Sequence, residues 1–337
     1  MQLFGKDLNS EVAIIAEIGV NHEGDVEKAS QLLHLAAESG ADAVKFQSYT
    51  AERLTSANDP ERLERVRRFA LDETAHRRLA EEAAAVDIAF ISTAVTEDWV
   101  PLLAELAPAI KIASGDLNFE PLIRSAAAQD KPLILSTGLG TIEEVDQAVD
   151  WIRGETGISS LSERLVLLHC VSAYPTPNED ANILSIPFMA ERFGLPVGYS
   201  NHVVGIDVCL AAVALGACVI ETHFTDCKTG RSFRDHELSV EPDDMRELVQ
   251  RTELVRASRG RWGKFRQPSE MPLLDAVRKG VVAARSLPVG QILQRGDLMF
   301  ARPATGIPSH DLPSVLGKRL VRPLEAGELL TTGVLED

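Results

Sequence analysis

Eight short β-type runs, each ending in a polar residue of catalytic type and each followed by a helix-type stretch, limit what this chain can fold into. The runs are Val12–Val20, Ala43–Tyr49, Ile88–Val95, Ala109–Ser114, Pro132–Gly138, Leu165–Ser172, Pro196–His202 and Val219–Thr225. Their C-terminal ends carry Glu17, Lys45 with Gln47, Thr93, Lys111 with Ser114, Ser136, Ser172 with Tyr174, His202, and Glu221 with His223. A strand covered on both faces stays apolar. Polar residues at one end of every strand therefore need a reason, and the C-terminal mouth of an eight-fold β/α barrel supplies one. The expected fold class is α/β, a (β/α)8 TIM barrel.

The chain has 337 residues, enough for one barrel of about 250 residues and a small further domain. Helical periodicity is clear in Val26–Ser39, Leu71–Val86, Thr141–Arg153 and Pro242–Ser258, with Asp25, Thr141 and Glu241 near helix starts and Gly40 after a helix end. The eight units end at about residue 259, so the barrel is read as 1–259. The basic, proline-bearing stretch 260–280 lacks periodicity and reads as a linker. Residues 281–337 have short β-like runs and an internal repeat, in which Leu287, Gly290 and Leu293 are spaced as are Leu324, Gly327 and Leu330. Two similar turns in so short a segment predict a small β-rich domain that docks on something else.

A net charge of −16 disfavours nucleic acid and anionic membranes as partners. An anionic substrate needs a local basic pocket against that field. Cys170, Cys209, Cys218 and Cys227 form no CxxC pair and read as free thiols of a cytoplasmic protein. The N-terminus lacks the apolar core of a signal peptide, and Val208–Ile220 is too short to cross a bilayer.

His202 and His223 end consecutive strands. Adjacent parallel strands lie about 4.8 Å apart, so the two imidazoles can share one metal ion. The bland alternative is two satisfied strand-end histidines. Glu221 shares the face of His223 by period two and could ligate or orient a ligand. Imidazole with carboxylate and water suits a divalent first-row ion. Lys45 and Lys111 lie inside apolar strands, where an ammonium group is costly unless paired. Each either pairs with a carboxylate of the protein or points at a substrate anion. The hydroxyls of Thr93, Ser114, Ser136 and Ser200 at equivalent positions favour the anion. Glu17 is a candidate acid, base or hydroxyl anchor. His22 reads as a loop residue, Tyr174 as a lid or a packed ring, and Asp235 and His236 as loop residues able to contact substrate.

The motifs AEIGVNHEGD, GADAVKFQSYT, FISTA, KIASGDLNFEPLI, ILSTGLGT, LLHCVSAYPTP, GYSNHVVG and IETHFT together resemble the sialic acid synthase family. ARPATGIP and VLGKRLVRPL resemble its C-terminal antifreeze-like SAF domain, a β-clip. The resemblance implies condensation of phosphoenolpyruvate with an N-acetyl amino sugar, N-acetylmannosamine or a 2,4-diacetamido hexose, giving a nonulosonic acid and phosphate. It implies a divalent metal on His202 and His223, manganese with Mg2+ or Co2+ as alternatives, and Glu221 close by. It further implies phosphoenolpyruvate binding by Lys45, Thr93, Lys111, Ser114, Ser136, Ser200 and Asn201. The sugar would meet Glu17, Gln47, Tyr174 and Asp235, and Arg302 from the SAF domain of a partner in a domain-swapped homodimer.

This sequence departs from the family pattern on the acceptor side. Phe233-Arg234 stands where Gly-Pro is common, Ser172 where Asn is common, and the segment 50–71 is short, leaving Asn58 as its acceptor candidate. Two other readings remain open: a Schiff-base aldolase or lyase using Lys45 or Lys111, and a non-catalytic sugar-binding barrel.

Overall fold

Strands buried on both faces alternate with one-sided helices, and the arrangement that covers all of them is a closed barrel. The structure, a computed structural model, describes residues 1–157, 161–231 and 233–336. It divides into two compact units, Met1–Gly260 and Arg261–Asp337.

In the first unit, eight parallel strands close on themselves in sequence order. They are β1 (Ala13–Gly19), β2 (Ala43–Ser48), β3 (Ala89–Ala94), β4 (Ile110–Ile112), β5 (Leu133–Ser136), β6 (Leu165–Cys170), β7 (Val197–Asn201) and β8 (Val219–His223). All eight expected runs are present, shortened at their ends. The polar residues just past several strand ends thus lie in βα loops, where backbone can turn toward a ligand. The principal outer helices are α1 (Val26–Glu38), α2 (Glu73–Ala85), α3 (Val100–Leu106), α4 (Glu120–Ala127), α5 (Ile142–Thr156), α6 (Ser185–Phe193), α7 (Asp207–Ala214) and α8 (Pro242–Arg259). Their starts follow local chemistry. Asp25 caps α1 by accepting from the amides of Glu27 and Lys28. Thr141 with Glu144, and Glu241 with Asp244, form capping boxes on α5 and α8.

Period-two alternation sorts the strand residues. Phe46 faces the helices, its ring 5.8 Å from that of Phe90. Ile15, Ile91, Ile134, Leu168 and Val219 share the inward parity of the polar strand-end residues and are buried beneath them. A hairpin of Gln2–Leu3 with Lys6–Asp7, which sequence reasoning did not find, precedes β1. Lys6 ties it to the barrel by donating to the Val12 carbonyl at 2.9 Å and to Asp42 at 2.8 Å. No helix among the described residues is long and apolar enough to cross a membrane.

The second unit has its own core, including Val281, Leu287, Leu293, Leu298, Leu320, Leu324 and Leu330. The repeat seen in the sequence is its organising element. Leu287 and Leu324 exchange backbone hydrogen bonds of 2.8 and 3.0 Å. Gly290 and Gly327 turn the chain at φ 81° and 83°, values that favour glycine. Their amides donate to Leu320 and Ala283, and those of Leu293 and Leu330 donate to Lys318 and Val281. The two copies therefore pair as pseudo-symmetric halves. Strands β9 (Gly280–Ala283) and β10 (Leu298–Ala301) pair antiparallel beside them. The stretch 260–280, expected to be a plain linker, carries a 3-10 helix Pro268–Leu273 and a short helix Leu274–Val277. All but its first residue lie in the second unit.

Candidate active site

The strand register brings the inward polar residues into one ring. His223 pairs with Glu17, Glu17 with Lys45, Gln47 with Thr93, Thr93 with Lys111, and Ser200 with Glu221. All but the half-buried Gln47 are buried.

Lys45 is paired within the protein. Its Nζ lies 2.9 Å from Glu17 Oε2 and 3.5 Å from Glu221 Oε2, and it donates to Thr93 Oγ1 at 3.1 Å. Burial opposes its charge, but Glu17 and Glu221 outweigh that and raise its pKa. Lys111 differs. It donates to Ser136 Oγ at 2.6 Å and to the Ile112 carbonyl at 2.9 Å, with no carboxylate at ion-pair distance among the described residues. Burial lowers its pKa. Of the two lysines, Lys111 thus has its charge free of a direct ion pair.

The two carboxylates are pushed apart. Burial raises the Glu17 carboxyl to about 7 against the pull of Lys45, with Glu221 adding to the rise. Burial also works against ionising Glu221, yet Lys111, Lys45 and a 2.8 Å hydrogen bond from the Ser200 hydroxyl hold its pKa below the ordinary range. One carboxylate stays charged while the other titrates near neutrality, the pattern of a fixed counter-ion beside a proton carrier.

Next to Lys111 and Ser136, the ends of β4, β5 and β6 bring a cluster of polar side chains together. The Gly138 amide donates to Ser114 Oγ at 3.0 Å, and Ser114 Oγ lies 2.9 Å from Cys170 Sγ. A Cβ at Gly138 would sit 2.6 Å from Ser172 Oγ, 2.7 Å from Cys170 Sγ and 2.9 Å from Ser114 Oγ. The Ser114, Cys170 and Ser172 side chains close in on the backbone there, so the position admits no side chain.

The imidazoles of His202 and His223 are neighbours, with ring centres 5.4 Å apart and planes inclined at 55°. The Val171 carbonyl accepts from His202 Nδ1 at 2.7 Å, which fixes the proton there and leaves Nε2 a lone pair. His223 Nδ1 is buried with no hydrogen-bond partner, and burial holds its pKa well below the ordinary value. Both rings thus fit a metal ligand's needs: neutral, with unused nitrogen. Among the described residues no group of three His, Cys, Asp or Glu side chains could hold a metal. Water and substrate would therefore fill the other positions of any ion held there.

Tyr174 closes this side. Its ring centre lies 4.2 Å from that of His202 and 6.1 Å from that of His223. Asp235 opens the short helix Asp235–Leu238, and burial raises its pKa against Arg234. A register shift between Glu17 and Gly19 makes room for the acid side chain. Gly19 sits at φ 56°, where a Cβ would lie 3.0 Å from Glu17 Oε1 and 3.5 Å from Gln47 Nε2.

Asn201 is a correction. Alternation turns it away from the interior that Ser200 faces. Its Nδ2 donates to the Val203 and Gly205 carbonyls at 2.8 and 3.2 Å, and its Oδ1 accepts from the Val203 amide. Its amide is spent on shaping the loop after His202. His22 is the loop residue it was read as, its Nδ1 accepting from the Gly24 amide at 3.0 Å. Asn58 and Arg302 are exposed, Arg302 with no ion pair among the described residues. Asp116, which sequence reasoning missed, lies in the turn Ser114–Asp116. Burial raises it to about 6 while Lys111 pulls it down. The signal available was an acid two residues past a strand-end serine.

The sequence matches the NeuB family over residues 32–264 and the SAF domain over residues 278–336. It is 39% identical to an N,N'-diacetyllegionaminic acid synthase of Legionella pneumophila, covering 94% of this chain and 92% of that one. It is 32% identical to the N-acetylneuraminate-9-phosphate synthase of Homo sapiens, covering 96% and 92%. Among solved structures it is similar to an N-acetylneuraminic acid synthetase of Leptospira borgpetersenii, with TM-score 0.74, 34% identity, and 78% and 90% of the two chains covered. The chain belongs to the NeuB family and carries a SAF domain at its C-terminus.

Proposed function

We propose that this chain joins phosphoenolpyruvate to the open-chain aldehyde of an N-acetylated amino sugar, giving a nonulosonic acid and phosphate. The observation that carries the reading is the barrel mouth itself: Lys111 beside the Ser114 and Ser136 hydroxyls on one side, and two neighbouring imidazoles with unused ring nitrogen on the other. The names of the relatives agree with it. The higher identity to the legionaminic acid enzyme makes a 2,4-diacetamido hexose the first acceptor to test, ahead of N-acetylmannosamine.

The reaction forms a bond between C3 of the enol and the aldehyde carbon, whose oxygen takes a proton. Water adds at C2, and the C2–O bond to phosphate breaks. Lys111, Ser136 and Ser114 would hold the anionic groups as charge moves onto the departing phosphate. Thr93 and Ser200 position Lys45 and Glu221, which set the field at the centre. Glu17 would take the proton from the incoming water. Gln47, Tyr174 and Asp235 would orient the acceptor, and holding both substrates offsets the entropic cost of joining them. His202 and His223 would hold a divalent ion, manganese first, which when bound supplies Lewis acidity toward the aldehyde oxygen.

Phosphate release should require both phosphoenolpyruvate and an amino sugar, assayed across mannosamine-type and 2,4-diacetamido acceptors with and without manganese. Release independent of acceptor would reject the reading. The value of about 7 for Glu17 adds a pH dependence. A base must be unprotonated, so kcat/KM should climb with pH and level off above about pH 7. Glu17→Gln should remove that limb and lower kcat by about 10²–10⁴. One observation favours a second reading, since the lowered pKa of Lys111 also suits a Schiff-base lysine. Borohydride with pyruvate would then leave an adduct on Lys111, and the synthase reading predicts none.

We assign Arg302 to the acceptor site of a second copy in a homodimer. Mixed dimers of Arg302→Ala and His202→Ala then contain one intact site. Random mixing of these two inactive proteins should restore about a quarter of wild-type turnover. No recovery would show that Arg302 acts within its own chain, and an Arg302→Ala protein that is active by itself would show that it does not act at all.

A further inference from the structure

Arg234 is a cation at the mouth that the reaction as described does not use. It bridges two loops. Its guanidinium carbon lies 5.0 Å from the centre of the Tyr174 ring, and its Nε donates to Asp235 Oδ1 at 3.2 Å. Tyr174 comes from the loop after β6 and Asp235 from the loop after β8. The Tyr174 ring is thus in contact with both the His202 imidazole and the Arg234 guanidinium.

The loop that carries Arg234 is itself braced. Phe233 meets Phe69 edge-on at 5.4 Å, at the end of helix Pro60–Phe69. His236 Nδ1 lies 2.8 Å from the Thr225 hydroxyl, and its Nε2 lies 3.4 Å from Glu23. The Ser239 hydroxyl donates to the Asp235 carbonyl at 2.6 Å. The backbone of Asp235 is therefore fixed by its neighbours. Its carboxylate, by contrast, has Arg234 as its one hydrogen-bond donor among the described residues. Tyr174 is likewise partly exposed, and its hydroxyl makes no hydrogen bond among the described residues. For these two side chains, Arg234 is the shared restraint.

We propose that Arg234 is a positioning residue for the acceptor sugar, holding the Tyr174 ring and the Asp235 carboxylate at a fixed separation and so setting acceptor affinity and selectivity. The inference rests on the synthase reading, in which Tyr174 and Asp235 meet the sugar. A planar guanidinium can stack on the ring and donate to the carboxylate at once, which a lysine ammonium does less well. Arg234 lies on the imidazole side of the mouth and makes no contact with Lys111 or the Ser114 cluster, so phosphoenolpyruvate binding should not depend on it.

The test compares wild type, Arg234→Met and Arg234→Lys in the phosphate-release assay, using an acceptor that supports turnover. Arg234→Met should raise the acceptor KM about tenfold, with the phosphoenolpyruvate KM and the melting temperature unchanged. Arg234→Lys should recover part of the loss. An unchanged acceptor KM, or an equal rise in both KM values, overturns the proposal. A readout without turnover separates this from failure of the synthase reading. The chain has three tyrosines, so fluorotyrosine labelling gives a simple ¹⁹F spectrum, with Tyr174 assigned through Tyr174→Phe. Arg234→Met should shift that resonance in the ligand-free protein, and an unmoved resonance overturns the clamp. A wild type inert with every acceptor, but with a shifted resonance in Arg234→Met, would reject the synthase reading and leave the clamp standing.

Discussion

Lys45→Met should destabilise the barrel by about 3–5 kcal/mol, the usual consequence of stripping a buried ion pair of one partner. Lys45 lies 2.9 Å from Glu17 and 3.5 Å from Glu221, with all three side chains nearly inaccessible to solvent. Without it, two carboxylates share one low-dielectric space and at least one must take a proton. Glu17 is the one that yields, because burial has already raised it to about 7 while Glu221 stays charged beside Lys111. Loss of Lys45 raises the Glu17 pKa further in the folded state, so the variant binds more protons folded than unfolded. Its deficit should be larger at about pH 8 than at about pH 5.5, where the proton is already present. Adding Glu17→Gln should recover part of the stability, since a neutral amide needs no counter-charge, without restoring turnover. Guanidinium denaturation of the single and double variants measures this. A Lys45→Met protein as stable as wild type at about pH 8 would show that the trio is not held as described.

That trio also marks where sequence reasoning stopped. The barrel was legible because a parallel strand covered on both faces leaves a continuous apolar run, and the polar end of each run named its mouth. In the sequence, period two tied only Glu221 to the face of His223; the strand register brings Glu17, Lys45, Thr93, Lys111 and Ser200 to the same ring. Whether a buried lysine pairs with a carboxylate or waits for a substrate is a matter of ångströms across the barrel. Lys45 and Lys111, alike in sequence, resolve it oppositely because Glu17 and Glu221 approach one and Ser136 the other. Asn201 came from the family resemblance alone, and alternation along β7 turns its side chain away from the interior that Ser200 faces, toward the Val203–Gly205 loop. Asp116 was hidden by its place in a turn, where no periodicity reports which way a side chain points. The repeat in the second unit was visible, but its meaning as two paired halves appears only in the hydrogen bonds between Leu287 and Leu324.

His223→Ala should lower manganese affinity by more than about 100-fold, beyond the 10–100-fold typical of losing an outer-shell partner. A buried polar nitrogen without a hydrogen bond costs about 1–3 kcal/mol, and His223 Nδ1 is such an atom. Nothing else in the described structure relieves that cost, whereas coordination of a cation would. His202 supports this independently, because the Val171 carbonyl holds its proton on Nδ1 and frees Nε2. His202→Ala should therefore match His223→Ala. Glu221→Gln should have a milder effect, because its Oε1 accepts from Ser200 and its Oε2 faces Lys45. It then acts on the ion through the local field and not as a ligand. Titration of manganese into each protein, followed by electron paramagnetic resonance of the free ion, reads affinity without any turnover. Equal binding in wild type and His223→Ala would move the ion elsewhere, and no binding in wild type would remove it from the site. Turnover should fall in step with affinity in the two histidine variants and be partly recovered at high manganese. Recovery in one variant but not the other would mean that the two imidazoles do not hold the same ion.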